Sequence, residues 1–64
     1  MEQWQQDLLD TQVALKARFT KLSDWNASET FDLMSETDQA LLQLEQQAVA
    51  EHLAVVSARV AYFT

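Results

Sequence analysis

The chain has 64 residues, with ten acids, four bases and a single histidine, a formal net charge of −6, and no glycine, proline or cysteine. A chain this short buries only about 60% of its unfolded surface and needs a disulfide, a metal or association to gain a stable margin. Without cysteine, and with His52 alone, disulfides and zinc-finger spacing are both excluded. The missing glycines argue against β-hairpins and phosphate-cradling loops. The acidic balance argues against binding duplex nucleic acid or an anionic membrane. What remains is one small domain over residues 1–64, stabilised by association. Neither a basic, apolar leader after Met1 nor an apolar run of about 18 residues is present, so the expected location is the cytoplasm.

Taken in order, Glu2 to about Leu22 has the period of a helix, predicted over 3–23. Trp4, Leu8, Leu15, Phe19 and Leu22 fall within about 60° of one another, the width of a coiled-coil seam. Acids gather towards its start and Lys16, Arg18 and Lys21 towards its end, which suits the helix macrodipole. The same three bases would form an anion-binding patch if a second source of positive charge stood near.

Ser23 to Met34 breaks the long period. Asn26 and Glu29 have capping-box spacing, and a single turn through Glu29–Met34 lets Phe31, Leu33 or Met34 plug the end of a hairpin. Trp25 serves either as a core plug or as a stacking surface. Ser35, three residues before Asp38, predicts the cap of a second helix over 36–62.

That second helix carries an apolar arc about 180° wide, running from Leu41 to Phe63, whereas packing against one neighbour needs about 100°. Glu45, His52 and Arg59 repeat every seventh position within it. Two long helices and a short connector predict an all-α, antiparallel two-helix hairpin. If residue numbers across it total about 60, His52 lies near Asp10, Glu45 near Lys16 or Arg18, and Arg59 near Trp4 and Asp7. A narrow first seam leaves half of the wide arc bare, and Val49, Val56, Val60 and Phe63 are expected there. With Leu42 and Leu53 they are the expected interface of a helical-bundle homo-oligomer.

The run LL-x2-E-x3-V-x2-H-x2-VV-x2-RV, Leu41 to Val60, resembles the second helix of a family of short phage-encoded helical hairpins named after crAss-like phage proteins. Leu15, Leu22, Trp25 and Phe31 fall on a similar upstream pattern. Glu45 stands where the family tends to have Gln, and His52 where it tends to have Tyr. More distantly, the chain is similar to the hairpin of phage sponges that sequester nucleotide signals of CBASS and Thoeris immunity. The resemblance implies a phage-encoded oligomer in the host cytoplasm with a small anionic nucleotide at its subunit junctions. Arg59, Lys16, Arg18 or Lys21 would hold phosphate there, Trp4, Trp25 or Tyr62 would stack on a base, and His52 would lie alongside. Two alternatives stay open: a module that inhibits a host protein, and a structural accessory that binds only itself. No enzyme is expected, because Glu45 and His52 are about 10 Å apart along the axis and no nucleophile–base set is present. No cofactor or metal is expected either.

Overall fold

Long runs of Ala, Leu, Gln and Glu, uninterrupted by glycine or proline, favour helix. The computed structural model describes residues 1–64 and contains α1 (Gln3–Asn26), α2 (Glu29–Asp32) and α3 (Glu36–Ala61). The Glu2 N–H donates to Gln5 Oε1 at 2.8 Å where α1 begins. Gln3 and Gln6 donate to Asp7 and Asp10 one turn on, at 2.8 and 3.0 Å. Ser35 caps α3 as its spacing predicts, its hydroxyl accepting from the Asp38 N–H at 3.1 Å. The connector is the expected single turn, but its cap is Ser28, whose Oγ accepts from the Phe31 N–H at 3.3 Å. Asn26 does not start that turn. It is the last residue of α1, and its Nδ2 donates back to the Leu22 carbonyl at 2.9 Å.

α1 and α3 lie antiparallel in a rod 46 Å long and 14 Å across. Seven residues are buried between them: Leu8, Leu15 and Leu22 from α1, and Leu42, Val49, Val56 and Val60 from α3. Each helix thus offers a seven-residue repeat, the spacing of a coiled-coil seam. Leu9, Phe19, Leu53 and Phe63 flank it, with Phe31 and Met34 packed on it from the connector. Even Val56, the best covered, keeps 3% of its surface exposed. The core is a single file.

The register differs from the expected one. Gln12, expected across from residue 48, lies across from Ser57 at 3.1 Å, a slide of about two and a half turns. The cause is the connector. α1 runs on to Asn26, and the connector is tied to the start of α3, where Gln39 Nε2 donates to the Phe31 carbonyl at 2.7 Å. The opening turns of α3 therefore face the connector, and their counterparts on α1 are displaced. Arg59 is consequently not beside Trp4, whose ring meets Phe63 instead. Trp25 does not plug the core, since about half of it (52%) is exposed.

Candidate functional site

The wide apolar arc of α3 divides into two stripes. Leu42, Val49 and Val56 take the first into the core. Leu41, Ala48 and Val55 each stand one position earlier, about 100° round the helix, and Tyr62 continues the row seven residues on. This second stripe is bare: Leu41 is 59% exposed, Val55 60% and Tyr62 96%. Leu44, at 60%, lies beside it. Glu45, His52 and Arg59 fall between the apolar members and are exposed too. Together Leu41, Glu45, Ala48, His52, Val55, Arg59 and Tyr62 alternate in steps of four and three, again the spacing of a coiled-coil seam.

The expectation that Val49, Val56, Val60 and Phe63 form the bare half is therefore corrected. Val49, Val56 and Val60 are buried against α1 with Leu42, while Leu53 and Phe63 are half-buried on the same core. An arc measured on one helix does not say which of its edges the neighbour covers. Register decides that.

Beside the second stripe, a shallow concavity of about 540 Å³ is lined by Ala17, Arg18, Lys21, Leu22, Trp25 and Glu45. Arg18 Nη2 stands 3.5 Å from Glu45 Oε1, with both side chains about half exposed. Of the two partners expected for Glu45, Lys16 or Arg18, it meets the second. The pair is a surface contact worth under about 1 kcal/mol. The structure thus brings together two of the four bases, Arg18 and Lys21, with one tryptophan. Lys16 is not among them, because two residues along a helix turn it about 160° away from Arg18. His52 and Arg59 have no intrachain ion-pair partner. Tyr62 stands free, and Trp4 meets Phe63 edge to face at 5.6 Å.

The opposite edge of the hairpin holds a set of contacts that the sequence reading missed. Gln12 Nε2 donates to Ser57 Oγ at 3.1 Å, and Gln46 Nε2 donates to Ser23 Oγ at 2.8 Å. Asn26 Nδ2 joins the second pair, donating to Gln46 Oε1 at 2.6 Å, while its own buried Oδ1 finds no partner. Each Gln stands four residues after a core leucine, and each Ser one residue after a core residue. The whole pattern recurs at a constant offset of 34, Leu8 to Leu42, Gln12 to Gln46, Ser23 to Ser57. That offset was the signal available in the sequence, and it makes the hairpin two-fold in its own side chains.

The same offset isolates what α3 carries beyond closure. The counterparts of Leu41, Ala48, Val55 and Tyr62 are Asp7, Ala14, Lys21 and Ser28. The repeat keeps the core and the Gln–Ser pairs on both helices, and only α3 has the second apolar stripe. No group of three or more His, Cys, Asp and Glu side chains is placed to hold a metal ion, and no helix is long and apolar enough to cross a membrane. No protein-family model matches the sequence, and neither a curated protein nor a solved structure matches it.

Proposed function

We propose that the chain is a small oligomeric binding protein whose hairpins join through the second stripe of α3. The observation that carries this is the exposure of Leu41, Val55 and Tyr62 in one row on a chain with only seven buried residues. A contiguous bare apolar row marks association, and a core this thin gains from burying more. The likeness of Leu41–Val60 to short phage-encoded hairpins supports a phage-encoded setting.

Sedimentation tests the reading through two neighbouring valines. Val55→Asp should leave the hairpin helical and make it monomeric. Val56→Asp should unfold it, because burying an unpaired carboxylate costs several kcal/mol. A wild-type chain that stays folded and monomeric at all accessible concentrations would count against self-association. The stripe would then be offered to a different protein, and a host-lysate pull-down with Val55→Asp as control would look for it.

A second reading has one observation in its favour: Arg18, Lys21 and Trp25 line the same concavity. Two bases and an indole suit the phosphate and base of a small nucleotide, in keeping with a sponge for immune signals. Weighing against it, Glu45 offsets Arg18. A thermal-shift panel of cyclic nucleotides and ADP-ribose derivatives decides, since a ligand at 100 times its dissociation constant adds about 2.7 kcal/mol. An unmoved melting curve across the panel removes the sponge reading.

A further inference from the structure

The second stripe also carries the information that sets how two copies meet. Glu45 and Arg59 stand seven residues to either side of His52, one acid and one base. The apolar members balance about nearly the same centre, Leu41 against Tyr62 and Ala48 against Val55. The stripe therefore reads alike from both ends in its apolar members and with opposite sign in its charges. Parallel pairing of two α3 helices sets Glu45 on Glu45 and Arg59 on Arg59, like charges in register inside a shared seam. Antiparallel pairing brings each Glu45 within about one turn of Arg59 of the second copy, and does so twice.

We propose that two copies pair their α3 helices antiparallel about a two-fold axis near His52, with Leu41 towards Tyr62 of the second copy and Glu45 towards its Arg59. This rests on the self-association reading and gives that surface an orientation. Three features support it. Arg59 has no ion-pair partner within its own chain. Glu45 uses Oε1 for Arg18, so Oε2 remains for a second base. The corresponding row of α1 contains Asp7 and Lys21 in place of Leu41 and Val55, so α1 offers no competing seam. An isologous contact of this kind closes on itself and stops at two copies per stripe.

The chain has no cysteine, so introduced thiols report orientation without interference. Ala48→Cys and Val55→Cys are made separately at exposed positions, mixed in equal amounts and oxidised, and the disulfides are sorted by mass. Antiparallel pairing predicts that the mixed disulfide, which joins one variant to the other, exceeds the two homodisulfides together by about tenfold or more, because like positions then stand about 10 Å apart along the axis, beyond disulfide reach. Circular dichroism checks that both variants keep the wild-type helicity. Homodisulfides in excess, or no disulfide from a protein that sediments as a dimer, would overturn the antiparallel arrangement while leaving self-association standing. A wild-type chain that sediments as a monomer would overturn both.

Discussion

Trp4 and Phe63 meet edge to face, ring centroids 5.6 Å apart and planes at 83°, and close the end of the hairpin away from the connector. Such pairs contribute about 0.5–1.5 kcal/mol beyond the area they bury. Trp4 is 54% exposed, so its area adds less than a full burial would. Trp4→Ala should lower the unfolding free energy by about 1–2 kcal/mol in a urea titration followed by circular dichroism at one protein concentration. A loss no larger than that of an exposed surface change would show that the end is already frayed.

Gln46 joins two groups, its Nε2 donating to Ser23 and its Oε1 accepting from Asn26. Gln46→Ala leaves the Asn26 amide and the Ser23 hydroxyl without those partners, at a cost of about 1–3 kcal/mol. Changing both amides, Asn26→Leu with Gln46→Leu, should recover part of the loss, because the Asn26 amide and its unpartnered Oδ1 are then gone and only the half-buried Ser23 hydroxyl lacks its former partner. Equal losses in the single and double variants would mean that these bonds contribute nothing specific.

Leu15 lies midway along the α1 seam, seven residues from both Leu8 and Leu22. Leu15→Ala should cost towards the lower end of the usual range, about 2–5 kcal/mol, since a single-file core can settle around a small gap. Chemical denaturation should show it as a shift in midpoint with an unchanged slope.

Arg59 sits in the last turn of α3 and makes no ion pair within the chain. Its contribution to the isolated hairpin is limited to the helix dipole, about 0.3–1 kcal/mol. Arg59→Ala placed in the monomeric Val55→Asp background should therefore change stability by less than about 1 kcal/mol, of which about 0.2–0.5 kcal/mol comes from the carboxylate introduced one turn away. In the wild-type background it should weaken association, read as a rise in the dissociation constant by sedimentation. A large loss in the monomer would reveal an intrachain role for Arg59.

Both long helices, the connector turn and the Ser35 cap were legible because each follows from residues three or four positions apart. What the sequence did not disclose lay across the hairpin. Val55 and Val56 are neighbours of one kind, and only the register sends Val56 to 3% exposure and leaves Val55 at 60%. Gln12 on Ser57 and Gln46 on Ser23 match that register, contacts invisible to a hydrophobic count. Of the candidate site, the spacing places Glu45 near Lys16 or Arg18, and the polar row through His52 and Arg59 stands out within the apolar arc. Its place on the bare stripe, one position out of step with the core, could not be read from an angle alone.

The bend itself rests on no special backbone conformation. No residue has a positive φ, and neither glycine nor proline stands at the connector. Ala27 and Leu33, with ψ of 5° and −8°, stay close to the helical basin, while the caps Ser28 and Ser35 swing to 161° and 157°. Two serine caps, the Gln39 amide on the Phe31 carbonyl and the packing of Phe31 and Met34 therefore hold a turn that no special backbone conformation enforces. Straightened, the chain would be a continuous rod of about 90 Å. Two such rods laid side by side and antiparallel would recover each contact between α1 and α3, with every core residue finding its usual neighbour on the other molecule. Closed hairpin and exchanged pair would share one seam, and concentration, acting through mass action, would set the balance between them.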